Sequence, residues 1–379
     1  MEYKEYELGE LLYYEQPTPY IVESTDYNDA YETPVLTAGK SFILGYTDEK
    51  EGIYDQLPVI IFDDFTTASQ YVNFKFKVKS SAMKILTPVT ELVLPKYIYY
   101  RMQIINFDHS THKRYWIQQY SKIRVSVPPL SEQERIVSRI EELFSQLDAG
   151  VETLKKTKAQ LAVYRQAVVE DAIATAKHRG ATVLPFGTFV LQYQNGISKR
   201  SGEGIQTPVL RLADIENQRI SNDDGLRLIG LSKIERDRFV LKRGDLLIVR
   251  VNGSENNVGR AIVVDKDDSY AACDHFIRCS VDFSHIIPEY AQLLLDSFSA
   301  RKHIKENMVS SAGQNTVSQT TMSSIMVYVP DISLQEKIMV SVNERFSMCD
   351  SIEQTVDTAL QQAEAMRQSI LKDAFEGTL

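Results

Sequence analysis

Two stretches decide the architecture: IRVSVPPLSEQERI at residues 123–136 and IMVYVPDISLQEKI at residues 325–338. They open a repeat in which a constant shift of 202 positions aligns residues 123–173 with 325–375 without a gap. The pairs Val127/Val329, Pro128/Pro330, Ser131/Ser333, Gln133/Gln335, Glu134/Glu336 and Ile136/Ile338 coincide. So do Phe144/Phe346, Asp148/Asp350, Arg165-Gln166/Arg367-Gln368 and Asp171-Ala172/Asp373-Ala374. About a third of the aligned positions are identical, too many for two unrelated amphipathic helices.

Each copy reads as a strand ending at the proline, a serine helix cap and a long helix, with Ser131/Glu134 and Ser333/Glu336 spaced as capping boxes. Apolar residues then recur at spacings of three and four: Ile136, Ile140, Leu143, Leu147, Leu154, Leu161 and Val168 in the first copy. The second copy has Ile338, Val342, Cys349, Ile352, Val356, Ala359, Ala363, Met366 and Ile370. This is a coiled-coil seam, interrupted at Gly150, Thr157 and Arg345, and a helix break is expected near residue 150.

A weaker similarity lies between the helical copies. Thr33–Leu36 (TPVL) returns as Thr207–Leu210, Val59–Phe62 parallels Leu246–Val249, and Leu94–Tyr97 parallels Ile287–Tyr290. The whole chain is therefore a tandem duplication of one unit, a globular α/β domain followed by a long helix. The expected fold is α+β, with globular domains at 1–127 and 181–330 and helical spacers at 128–180 and 331–379 that pack as an antiparallel coiled coil. Duplication of this kind gives a pseudo-two-fold molecule, which suits the near-dyad of duplex DNA.

With 379 residues, 43% hydrophobic and 25% charged, the composition is that of an ordinary globular protein. The N-terminus has neither the basic start nor the apolar stretch of a signal peptide, and no run is long enough to cross a membrane, so a cytoplasmic protein is expected. Cys273, Cys279 and Cys349 are few, odd in number and without CxxC spacing. They read as buried, reduced thiols, and neither a disulfide framework nor a thiolate zinc site is expected.

The net charge of −9 argues against a polyanion partner, yet the average conceals a division. Residues 1–64 carry 3 Lys/Arg against 15 Asp/Glu, and residues 65–127 carry 10 against 2. In KFKVKSSAMK, a strand would put Lys75, Lys77 and Lys79 on one face, fit either to meet phosphates or to protect a sheet edge, with Lys84 following. The second globular segment has 17 charges of each sign. Its distinctive piece, GDLLIVRVNGSENNVGRAIVV, reads as strand, Asn-Gly turn, polar loop and strand. There Asn252, Ser254, Asn256 and Asn257 lie between Arg250 and Arg260, residue types that bond base edges and phosphates. A second polar loop, 310–321, presents Gln314, Asn315 and Gln319.

Catalytic machinery is not legible. TAGKS at 37–41 lacks the glycine a phosphate loop needs, because Pro34 stands there. Asp63-Asp64 offers two carboxylates without further metal ligands, His109 and His112 lack a third, and VPPL lacks the residues flanking a methyltransferase Pro-Pro. No glycine-rich cofactor fingerprint follows a strand.

Taken together, the alternation of variable domain and PLSEQERIVSRIEELFSQLDAGVETLKKTKAQLAVYRQAVVEDA resembles the specificity subunit of type I restriction-modification enzymes. The Phe-x-x-x-Asp intervals, the Arg-Gln pairs and the terminal Leu371–Gly377 carry the resemblance, with Gly244–Leu247, Val258–Ala261 and Ser311–Gln314 resembling a target recognition domain. The resemblance implies a non-catalytic DNA-binding subunit in which each globular domain reads one half of a bipartite double-stranded target. It further implies helices that set the gap and dock two methyltransferase subunits. S-adenosylmethionine, ATP and Mg would belong to the methyltransferase and the restriction/translocase subunits, none to this chain. For base or phosphate contact, residue chemistry and loop placement select Lys75, Lys77, Lys79, Lys113 and Arg114 in the first domain. In the second they select Lys199, Arg200, Arg250, Asn252, Ser254, Asn257, Arg260 and Gln314. The alternatives are a coiled-coil scaffold without DNA readout and a self-sufficient nuclease using Asp63 and Asp64.

Overall fold

The computed structural model describes residues 3–39, 41–109, 114–216, 218–220 and 225–379. Two compact units emerge, 1–155 with 357–379, and 156–356. Two long helices, Leu130–His178 and Ile332–Glu376, contribute to both units.

The first unit opens with β1 (Lys4–Glu7), the single turn α1 (Leu8–Leu11) and β2 (Leu12–Glu15). It continues through β3 (Thr33–Leu36), β4 (Ile43–Thr47), β5 (Val59–Asp63), β6 (Ser69–Val72), β7 (Lys77–Val78) and β8 (Met83–Pro88). After α2 (Pro95–Met102) and β9 (Arg124–Val127), the chain enters the long helix α3 (Leu130–His178). The strands make an antiparallel sheet in the order β2-β8-β5-β6, a sheet β4-β3-β7 in which β3 and β7 are parallel, and the pair β1-β9. The run VIIFD forms the buried centre. Ile60 and Phe62 join Leu11, Leu86, Trp116 and Tyr120 on one face, and Val59 and Ile61 join Leu36, Val72 and Phe76 on the other. A strand covered on both faces needs an uninterrupted apolar run, and each such side chain contributes about 1.5–3 kcal/mol.

In the second unit, β10 (Thr182–Pro185), β11 (Val190–Asn195), β12 (Ile205–Leu210) and the small hairpin β13 (Ile215–Glu216) and β14 (Arg219–Ile220) come first. They are followed by β15 (Arg227–Leu231), α4 (Lys233–Phe239), β16 (Leu246–Val249), β17 (Val251–Asn252), β18 (Ala261–Val263), β19 (Ala271–Ala272) and β20 (Phe276–Val281). The unit closes with α5 (Pro288–Leu295), α6 (Phe298–Asn307), β21 (Val309–Ser311), β22 (Gln314–Thr316), α7 (Gln319–Ser323), β23 (Met326–Val329) and α8 (Ile332–Glu376). Its sheets are β11-β20-β16-β18, β15-β12-β19 with β12 and β19 parallel, the pair β10-β23, and an added sheet β17-β22-β21. Strand for strand this repeats the first domain. The TPVL segments are β3 and β12, and the apolar runs at 59–62 and 246–249 lie in β5 and β16.

The repeated residues now have jobs. Gln133, fully buried, accepts from Leu94 N at 2.8 Å and donates to the carbonyls of Leu92 and Pro128. Gln335, equally buried, does the same to Ile287 N, His285 O and Pro330 O. Tyr97 and Tyr290 each donate a hydroxyl to the strand preceding a long helix, at Ser126 O and Tyr328 O. Within the second unit, Arg165 of α3 pairs with Asp350 of α8 at 2.5 Å and lies 5.5 Å from the Phe346 ring. Within the first, Arg367 of α8 pairs with Asp148 of α3 and lies 4.4 Å from the Phe144 ring. Each Phe-x-x-x-Asp interval is a socket for the other helix's arginine. The contacts Arg165–Asp350 and Arg345–Asp171 show that the helices run antiparallel in the second unit.

Three expectations about the helices are corrected. α3 runs unbroken through Gly150, because one exposed glycine costs only about 1 kcal/mol in a helix interior, less than the packed turns on either side contribute. The serine caps are displaced: α3 already begins at Leu130, and α8 is capped by Asp331, whose Oδ1 accepts Leu334 N at 2.9 Å. Ile352 and Met366, assigned to the seam, are 43% and 53% exposed. The cysteines are free and buried, as expected.

Candidate nucleic-acid interface

In the second domain β16 is buried throughout, and Arg250 is the first residue to emerge from it. β17 then leaves the main sheet and pairs with β22, with Asn252 opposite Asn315. The two polar loops of the sequence, far apart along the chain, therefore form one small three-stranded sheet. Asn252 Oδ1 accepts Ser254 N at 2.8 Å, which closes the turn at Gly253, and Asn315 Nδ2 donates to Gly253 O at 3.1 Å. The β21-β22 connection is Ala312-Gly313, with φ of 47° and 75°, the pair of left-handed residues of a type I′ turn.

Below the 253–258 loop, two arginines hold it from inside. Arg301 Nη2 donates to the carbonyls of Asn256 and Val258, and Arg260 donates Nε to Asn256 O while pairing with Asp296 at 2.7 Å. Burial, and then the charge of Arg260, pushes Arg301 down to about 10. Beside the small sheet lies a cleft of about 410 Å³ lined by Asn195, Arg250, Asn307, Thr316, Ser318 and Gln319 over Val309 and Val317. Gln319 donates to Asn195 Oδ1 at 3.0 Å. The Arg250 guanidinium donates to the Asp274 carbonyl at 3.2 Å, and among the described residues no carboxylate pairs with it. An unneutralised guanidinium among amides and hydroxyls suits a guanine edge or a phosphate.

The structure thus brings Arg250, Asn252, Ser254 and Gln314 together. Asn257 stays exposed at the base of the loop, while Arg260 is turned inward as a loop brace, an anion partner already engaged by Asp296. Lys199 and Arg200 follow β11. Lys199 is paired with Glu235 at 2.6 Å and, with the Ser232 backbone, holds that carboxyl down to about 2. Arg200 is exposed. Asn195 and Asn307 were missed, since only the register of β11 and the end of α6 places them at the cleft.

The lysine ladder of the first domain is corrected. Lys77 is 3% exposed, pairs with Glu49 at 2.8 Å and donates to Glu51 O, so it has no surface to offer. Lys75 is exposed, 3.7 Å from Asp55, and Lys79 leans on Tyr27. Lys84 is buried against Asp64 at 3.3 Å. Glu49, Asp55 and Asp64 of the acidic segment thus face Lys77, Lys75 and Lys84 within one domain. The position equivalent to the 250–260 loop is Asp63–Ala68 between β5 and β6. It meets His109, whose Nε2 lies 2.9 Å from both Thr67 Oγ1 and Thr66 O. Arg114 is exposed beside this segment. Lys113 and His112 lie outside the described residues.

The nuclease reading fails on the same geometry. Asp63 Oδ1 caps a turn by accepting Phe65 N and Thr66 N, and Asp64 accepts Trp116 N while neutralising Lys84. Both carboxylates are structural.

Residues 1–162 match the family of the type I restriction modification DNA specificity domain. The chain is 31% identical over 272 residues to the specificity subunit of the type I restriction enzyme StySPI of Salmonella potsdam, covering 69% of this chain and 58% of that protein. Over these residues the chain is similar to type I specificity subunits. It is also 44% identical over 182 residues to the EcoR124I/EcoR124II specificity subunit of Escherichia coli, covering 43% of this chain and 45% of that one. It spans about half the length of these curated specificity subunits. Among solved structures, a chain from a study of complex assembly and conformational transition of the type I R-M system superposes with a TM-score of 0.69 at 16% identity, covering 100% of this chain and 98% of that chain. The HsdS subunit of Thermoanaerobacter tengcongensis gives 0.50 at 14%, covering 100% and 97%. These two share the fold. Neither this match nor the curated relatives support the scaffold reading. No helix among the described residues is long and apolar enough to cross a membrane.

Proposed function

We propose that this chain is the DNA-reading subunit of a cytoplasmic type I restriction-modification complex. Each globular domain reads one half of a bipartite duplex target, and the long helices set the gap between halves and dock two methyltransferase subunits. The chain performs no chemistry itself. Adenine-N6 methylation with S-adenosylmethionine, and cleavage driven by ATP and Mg in restriction/translocase subunits, belong to its partners. In the second domain, Arg250, Asn252, Ser254 and Gln314 are the readers, joined by Asn195 and Gln319. In the first, the equivalent surface is Asp63–Ala68 with His109 and Arg114.

The observation that carries this reading is the duplication: two domains that share the order of their three common sheets, each completed by a reciprocal arginine socket, in a chain similar to specificity subunits. Two copies of a reader on one chain suit a target in two parts. Co-expression with a cognate methyltransferase subunit, followed by mapping of methylated adenines, tests it. A split motif that appears only when this chain is present supports the reading, and methylation at unchanged sites without it overturns the reading.

A further inference from the structure

Cys273, Asp274 and His275 occupy the turn between β19 and β20, and none of their side chains has a role in the reading above. Among the described residues they are the one cluster of three potential metal ligands, their donor atoms all within 4.8 Å of one another. Cys273 Sγ lies 3.8 Å from His275 Nδ1, and Asp274 Oδ1 lies 3.3 Å from the same nitrogen. Around a tetrahedral Zn²⁺ with ordinary bond lengths, the S···N and O···N edges are about 3.5 Å and about 3.3 Å. The turn holds the O···N edge at that length, the S···N edge at 3.8 Å and the S···O edge within 4.8 Å, so small side-chain rotations close the set on an ion. Asp274 Oδ1 is, moreover, buried without a hydrogen-bond partner. Such an orphan acceptor costs about 1–3 kcal/mol, which a cation would relieve.

We propose that this turn binds a divalent transition-metal cation of the Zn²⁺ class through Cys273 Sγ, Asp274 Oδ1 and His275 Nδ1. A thiolate, an imidazole and a carboxylate select zinc-like ions over calcium or magnesium, and three protein ligands leave a fourth position for water. Thiolate and carboxylate balance the two positive charges. Burial pushes the Cys273 thiol up, so the metal-free turn holds it protonated at neutral pH and cation uptake releases one proton to solvent. The backbone is fixed without the ion: Cys273 N donates to Leu210 O, Asp274 N to Ile197 O and Phe276 N to Cys273 O. The consequence reaches the cleft, because the carbonyls of Asp274 and His275 are what Arg250 donates to. A bound cation would stiffen the seat of Arg250. The spacing rule applied to the sequence looked for CxxC and so passed over three donors gathered by one turn.

Titration of the full chain with Co²⁺, read by absorption, tests the site. The expected result is tetrahedral d–d bands with a thiolate-to-cobalt band that saturate at one equivalent and vanish on adding Zn²⁺. They should be lost in Cys273→Ser and in His275→Gln, and kept in Cys349→Ser. His275 is part-exposed, so its variant decides the matter should Cys273→Ser misfold, with circular dichroism as the check. Absence of a thiolate band, or a band that survives His275→Gln, overturns the proposal.

Discussion

Lys84 and Asp64 sit in the first domain with side chains 0% and 2% exposed, and Lys84 Nζ donates a further hydrogen bond to Gln16 Oε1 at 3.0 Å. Removing one member of a buried pair leaves the other charge uncompensated, so Lys84→Ala should destabilise this domain by about 3–5 kcal/mol. Replacing Lys84 with Met and Asp64 with Asn, whose amide oxygen still accepts Trp116 N, should restore much of the loss. Trp116, the one tryptophan of the chain, packs against Phe62 in the same core, so its fluorescence during urea unfolding reports this domain alone. Arg250→Ala belongs to the same scale. If the guanidinium reads a base, methylation should lose discrimination at one position of one half-site by about 1–3 kcal/mol, whereas a phosphate contact would weaken all sequences alike. The placement of Arg250 at a strand end was legible because an Asn-Gly turn follows it. Lys77 was not, because alternation tells which residues share a face and not which face is inward. Glu49, 28 positions earlier and brought beside it by the fold, decides that.

At the scale of the element, Gly150 is the simplest test. A Cβ there would meet nothing within 4 Å. Gly150→Ala should stabilise α3 by about 0.5–1 kcal/mol, seen as a higher unfolding midpoint by circular dichroism at 222 nm. A second test lengthens both long helices together, with four helical residues inserted after Lys155 and four after Val356. Each unit keeps its own arginine socket, and about 6 Å is added per helix. Mapped methylation should show both half-sites unchanged and the non-specific gap longer by about two base pairs, at about 3.4 Å each. The existence, length and repeat of these helices were legible from the coincident residues, Gln133 and Gln335 above all. Their starts were not. Asp331 and the Pro129 carbonyl satisfy the first free N–H groups two residues sooner than the serines would, and two neighbouring cap candidates cannot be ranked by propensity alone.

For the whole molecule, exchanging residues 181–330 for the matching domain of a relative should replace one half of the methylated motif and leave the other intact. A change in both halves would contradict independent readers. The duplication itself was plain in the sequence, while the added β17-β22-β21 sheet was not, because pairing between residues 252 and 315 has no local signature. The arginine sockets carry one more consequence. A half-length ancestor ending after His178 would have possessed both the key, Arg165, and the lock, Phe144 with Asp148, but on one helix, where they cannot meet in antiparallel register. Two such chains around a dyad would have seated each other's arginines and, being identical, would have recognised only a palindrome. On the proposed function, fusing two such copies would make the symmetry approximate and let mutation alter one word of the target without rewriting the other.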